Sequence, residues 1–174
     1  MTQTAEITAT LGRYAGLIEQ TIRAELATGL DPWMQGALSY HFGWVDDTFQ
    51  PITNGNSGKK LRPVMALLAY QGALEILQPG AGENADLAPA LPLAASLEMI
   101  HNYSLIHDDI EDDDRARHGR PTLWALWGKP KAINAGDCLD MLAYRALYRG
   151  QEKGLPAERV LELTRLITDT SVRL

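Results

Sequence analysis

Ile7, Leu11, Tyr14, Ile18, Ile22 and Leu26 recur at intervals of three and four residues. That interval returns each apolar side chain to one side of a helix with about 3.6 residues per turn. The same period recurs along the chain, and no stretch reads convincingly as a strand. An all-α fold is therefore expected, with helices packed around a central apolar pair.

The breaks between helices come from turn chemistry. "TGLDP" ends the first helix, and a second runs near Trp33 to Phe49 and stops around Pro51. "TNGNSG" is a glycine- and asparagine-rich loop. Pro63 opens "PVMALLAYQGALEIL", because proline loses nothing in a first helical turn. That segment is apolar almost all round, as a buried core helix should be. After the loop "QPGAGENADLAP", a long helix is expected from about Pro89 to Asp112, broken by "RARHGRP". "PTLWALWG" is a short turn or helix, and "NAGDCLDMLAYRALYRG" a helix stopped near Gly150. The last helix starts near Pro156 and meets no stop signal before Leu174, so the chain is expected to be the front part of a longer protein.

The strongest chemical signal is "HDDIEDDD", His107 to Asp114. Asp108 and Asp112 are four apart, so on a helix their carboxylates are neighbours. Like charges at that spacing destabilise a helix, and acids sit badly at its negative C-terminal end. Divalent cations would relieve both penalties. An all-oxygen set suits magnesium, which takes a few carboxylates, water and substrate phosphate. The plainer alternative is an exposed acidic helix end. The approach "LEMIHNYSLIH" is apolar at helical spacing, which argues for a buried helix instead.

Cations flank this stretch. "GKKLRP" puts Lys59, Lys60 and Arg62 at a loop-to-helix junction, where free N–H groups favour an anion. Arg115, Arg117, His118 and Arg120 follow the aspartates directly, and arginine forks match phosphate oxygens. They could equally neutralise Asp112 to Asp114. His101 lies seven residues before Asp108, on the same helix face. A lone helix histidine is more often a packed residue than a ligand.

Composition excludes some functions. The net charge is −6, from 22 acids and 16 bases, and without the six acids of the cluster the two balance. A nucleic-acid surface spread over the domain is not expected. No apolar run approaches a membrane span, and the N-terminus is not a secretory signal. The single cysteine, Cys138, suits a reducing cytoplasm.

"GKKLRP", then "LEMIHNYSLIHDDIEDDDRARHGRPT", then "INAGDCL", in this order and spacing, resemble the trans-isoprenyl diphosphate synthases, or polyprenyl synthetases. The resemblance implies an isoprenoid synthase-type helical bundle around a central cavity. Residues 1–174 would be the N-terminal portion of a single all-α prenyltransferase domain, incomplete at the C-terminus. It implies that Asp108, Asp109 and Asp112 are catalytic and hold Mg2+ against an allylic diphosphate. Lys59, Arg62 and His101 would bind the diphosphate of isopentenyl diphosphate, and Arg117 the allylic diphosphate. Family members are usually homodimers.

Two departures stand out. His118 occupies the position of the family's usual second arginine, a residue that helps bind isopentenyl diphosphate. The family also carries a second aspartate-rich motif on a later helix. "VDDTF" at Asp46 and Asp47 lacks the third acid and precedes the first motif, so 174 residues alone are expected to be inactive.

Tyr103, about 7.5 Å before Asp108 along the helix axis, would floor the prenyl cavity, with the small Ser104 beside it. In the family that pattern resembles enzymes making geranylgeranyl diphosphate. Tyr103 could equally pack against a neighbouring helix. Two further readings compete: a class I terpene cyclase, against which "GKKLRP" speaks, and a non-catalytic partner subunit with the same fold.

Overall fold

The computed structural model describes residues 3–53, 58, 60–82 and 84–173. It is built of helices: α1 Gln3–Leu26, α2 Pro32–His41, α3 Leu61–Leu77, α4 Leu91–Glu111, α5 Leu123–Trp127, α6 Lys129–Tyr148 and α7 Ala157–Ser171. A 3-10 turn, Arg149–Lys153, follows α6. The expected absence of strands needs one correction: β1 (Ala116–Arg117) and β2 (Arg120–Pro121) pair antiparallel. No helix among the described residues is long and apolar enough to cross a membrane.

The chain forms two compact units. One comprises Met1–Ile22, Lys60–Glu98 and Ala143–Leu174. Within it Tyr14 and Ile18 of α1 are buried with Leu67, Ala94 and Leu147. Burying each large side chain is worth roughly 1.5–3 kcal/mol. The loop after α3 is tied down by that helix. Gln71 Nε2 donates to the Gly82 carbonyl at 2.9 Å, while Glu75 accepts from the Gly80 and Gly82 N–H groups at 2.9 and 3.0 Å. Those two donors hold the Glu75 carboxyl below its usual range.

The α3 helix departs from expectation. Only Pro63, Val64 and Leu67 are buried, whereas Met65, Ile76 and Leu77 are 66%, 82% and 76% exposed. An all-round apolar helix carries no internal sign of which side meets solvent; neighbours decide that. The last helix runs to Ser171, and within it Thr164, Thr168 and Thr170 donate back to carbonyls of the preceding turn.

The second unit comprises Arg23–Lys59 and Met99–Leu142. Its α2 starts where Asp31 accepts from the Trp33 and Met34 N–H groups, with Pro32 in the first turn. The helix ends at His41, well short of the expected Phe49. The stop is a Schellman-type end on Gly43, φ 75°: the Trp44 N–H donates to the Ser39 carbonyl at 3.0 Å and the Gly43 N–H to the Tyr40 carbonyl at 2.9 Å. Beyond it, Asp46 Oδ1 accepts from Thr48 N–H, Thr48 Oγ1–H and Gln50 N–H at 2.9, 2.7 and 2.9 Å. Such a local turn offers the backbone an alternative to helix. Asp46 of "VDDTF" therefore builds a turn where helix was expected.

Candidate active site

The acidic stretch closes α4. The Asp112 N–H donates to the Asp108 carbonyl at 2.9 Å, and the Asp114 N–H to the Asp109 carbonyl at 2.9 Å. Asp113 takes the left-handed conformation, φ 54°. This is a Schellman-type stop, with aspartate where glycine is commonest. Lys129 Nζ holds the Asp113 carboxylate at 2.6 Å and keeps its pKa below the usual range. Glu111, Asp113 and Asp114 are all exposed, as a solvated rim should be.

The three motif aspartates separate. Asp108 and Asp112 are exposed on consecutive turns, whereas Asp109 is 3% exposed. Arg117 donates to Asp109 Oδ1 from both Nε, at 2.8 Å, and Nη2, at 2.7 Å. Burial pushes the Asp109 carboxyl upward, and Arg117 opposes that. The Asp109 carbonyl also accepts from Trp124 Nε1 at 2.7 Å.

Arg117 reaches Asp109 because "RARHGRP" folds as a hairpin. His118 and Gly119 supply its two-residue turn, both with positive φ, 52° and 77°. Glycine adopts that conformation freely and histidine does so more often than most residues. Arg117 and Arg120 face each other across the register. Like charges there would repel, but each has its own partners. Arg120 donates to the Tyr40 and Val45 carbonyls at 3.1 and 2.6 Å and stacks 4.0 Å over the Tyr40 ring. Arg120 is thus a structural clamp.

Beside the hairpin lies a small cavity of about 40 Å³, lined by Asp109, Arg117, His118, Tyr40 and His41 among others. His41 was not singled out in the sequence, and no motif marks it. Its Nε2 lies 3.1 Å from Asn102 Oδ1. Burial lowers its pKa to about 4, with the Arg117 charge acting in the same direction.

His101, Tyr103 and Ser104 lie on α4, all partly buried. Ser104 Oγ donates to the His101 carbonyl at 2.9 Å. The Tyr103 ring meets His107 edge-on at 5.7 Å. His107, another residue not singled out, approaches α6 so closely that a Cβ on Gly136 would overlap its ring. The signal for it was the glycine of "INAGDCL".

Lys60 and Arg62 of the basic segment belong to the first unit. Lys59 lies outside the described residues. Lys60 is the N-cap of α3, 5% exposed, with its ammonium 3.2 Å from Glu19. It is used internally rather than offered to an anion. Arg62 is exposed in the first turn of α3.

Among the described residues no three His, Cys, Asp or Glu side chains stand together as a closed metal cage. Magnesium does not require one: it binds through one or two carboxylates, waters and substrate phosphate. The exposed Asp108 and Asp112 fit that chemistry, while Asp109 is already engaged by Arg117.

The family model for polyprenyl synthetase matches residues 43–174. A (2E,6E)-farnesyl diphosphate synthase of Mycobacterium tuberculosis is 42% identical over 137 residues, covering 79% of this chain and 35% of that protein. A short chain isoprenyl diphosphate synthase of Methanothermobacter thermautotrophicus is 34% identical over 169 residues, covering 97% of this chain and 44% of that protein. The crystal structure of a geranylgeranyl pyrophosphate synthetase from Pyrococcus horikoshii matches with a TM-score of 0.74 and 30% identity, covering 98% of this chain and 44% of that one. The chain therefore spans less than half the length of these relatives.

Proposed function

This chain belongs to the polyprenyl synthetase family, the trans-isoprenyl diphosphate synthases, and from that premise we propose that the protein condenses isopentenyl diphosphate with an allylic diphosphate. The observation that carries the reading is the division within the motif. Two exposed carboxylates four residues apart stand beside a third that is buried on an arginine.

In this proposal Asp108 and Asp112 hold Mg2+, with Asp109 completing the motif and orienting Arg117. Bound magnesium supplies positive charge to the leaving diphosphate. From the hairpin Arg117 contacts the allylic diphosphate, and His118 faces the diphosphate of isopentenyl diphosphate. Lys59, Arg62 and His101 bind the diphosphate of isopentenyl diphosphate. The allylic C–O bond breaks, the isopentenyl double bond forms the new C–C bond, and a proton leaves to the released diphosphate. Tyr103, with Ser104 beside it, limits the tail, favouring a geranylgeranyl product. We read residues 1–174 as the N-terminal portion of a single domain in a cytoplasmic homodimer.

The test is to incubate the intact protein with Mg2+, labelled isopentenyl diphosphate and allylic primers of several lengths. Elongated diphosphates are expected. No elongation from any primer rejects the reading, and a hydrocarbon or alcohol from one diphosphate alone would indicate a cyclase. Asp108→Ala should abolish turnover with the helical CD signal intact.

A further inference from the structure

The last turn of α4 ought to fray. It carries like-charged carboxylates at the negative end of a helix dipole, and helix ends fray in any case. Yet Asp108 and Asp112 must share one geometry to grip a common cation. Lys129 holds Asp113 and Arg117 holds Asp109 of this turn, and the contacts of His107 bear on the residue next to Asp108.

His107 directly precedes Asp108. Its Nε2 lies 3.4 Å from the Ile133 carbonyl and 3.5 Å from Asp137 Oδ1, both on α6. Both neighbours are acceptors, so Nε2 carries the proton and donates. Gly136 lies between them in sequence, and a Cβ there would stand 2.6 Å from His107 Cδ2. The Tyr103 ring closes another side, edge-on at 5.7 Å. The imidazole is thus seated on a glycine, hydrogen-bonded at its tip and flanked by a ring one turn back. From this seat the constraint reaches Asp108 through the peptide bond, and Asp112 through its N–H on the Asp108 carbonyl, at 2.9 Å.

We propose that His107, docked in the slot at Gly136 and tied to Asp137, is the positioning residue that fixes the Asp108–Asp112 pair for a divalent cation. The inference rests on the reading of those aspartates as the metal site. It also accounts for the "GD" of "INAGDCL": glycine makes the slot and aspartate faces the ring.

The test is Mn2+ binding to the intact protein without substrate, followed by the EPR signal of the free ion. His107→Ala and Gly136→Ala should each raise the dissociation constant about tenfold, the range seen when outer partners of metal ligands are lost. The double variant should be no worse than either single one, because both remove the same contact. His107→Gln, which restores a donor near the Nε2 position, should recover most of the affinity. Unchanged affinity in folded His107→Ala or Gly136→Ala, or additive losses, would overturn the proposal. Should His107→Ala not fold, Asp137→Ala, which removes the acceptor, decides: weaker Mn2+ binding supports the positioning role, and unchanged binding removes it. Asp108→Asn separates the two levels. If it binds Mn2+ as the wild type does, the metal-site reading falls and takes the positioning with it. If it loses the ion while the His107 and Gly136 variants keep it, the positioning alone is wrong.

Discussion

Arg117 directs two guanidinium nitrogens, Nε and Nη2, at the same oxygen of Asp109. The two ends of this pair differ in exposure: the Asp109 side chain is 4% exposed and that of Arg117 is 30%. Removing either partner should therefore have unequal cost. Arg117→Ala strands a buried carboxylate and should cost about 3–5 kcal/mol at neutral pH. Asp109→Asn leaves an arginine that can turn to water, and should cost about 1–3 kcal/mol. Because burial already pushes the Asp109 carboxyl upward, the Arg117→Ala penalty should shrink as the pH falls and the carboxyl takes up a proton. Urea unfolding at pH 7 and pH 5 measures both effects; a larger loss from Asp109→Asn would reverse the assignment.

His41 makes stability depend on pH in a predictable direction. Its pKa is about 4 in the fold, against an ordinary value of 6.5. The unfolded chain therefore binds a proton that the folded one refuses. The stabilisation is complete above pH 6.5 and is lost as the pH falls toward about 4. The loss is on the order of 3 kcal/mol. His41→Gln keeps a donor for Asn102 but does not titrate. The difference in unfolding free energy between the two proteins should change across this window, and a flat difference would count against it.

Arg120 is expected to be irreplaceable by lysine. Its planar fork serves two carbonyls while its face covers the Tyr40 ring. A lysine keeps the charge but not the fork or the stacking. Arg120→Lys should cost about 1–3 kcal/mol. That corresponds to a melting temperature lower by roughly 2–12 °C for a chain of this size. A melting curve that superimposes on the wild type would show that the clamp contributes nothing.

The hairpin tip offers a test of substrate affinity. His118 is exposed, and in the proposed function it faces the diphosphate of isopentenyl diphosphate. His118→Arg adds a permanent cation beside the proposed diphosphates. One charge-assisted hydrogen bond, about 1.5 kcal/mol, should lower the KM for isopentenyl diphosphate about tenfold with kcat little changed. An unchanged KM would mean that this position does not touch the substrate.

Much of the architecture was legible in local pattern. The stripe from Tyr14 to Leu26 is buried as its spacing required, and α4 lies close to its expected bounds, whereas α6 begins at Lys129, five residues before the expected start. Gly43 shortened α2, because its left-handed backbone closes a Schellman end there. The acidic stretch was legible as charge. Its sorting was not: which aspartate would be buried depends on where the hairpin returns Arg117.

The sequence by itself determined the helical class and the family, and it marked the acidic and basic positions that we propose handle cations and diphosphates. These follow from periodicity and from residue types at fixed spacing, which are local properties. Only the tertiary structure decided that Asp109 is taken by Arg117, that Lys60 is turned inward onto Glu19, and that His107 rests on Gly136. It also left the apolar α3 largely exposed. In each case the outcome depends on which segments distant in sequence meet in space, and burial and pairing are properties of that meeting.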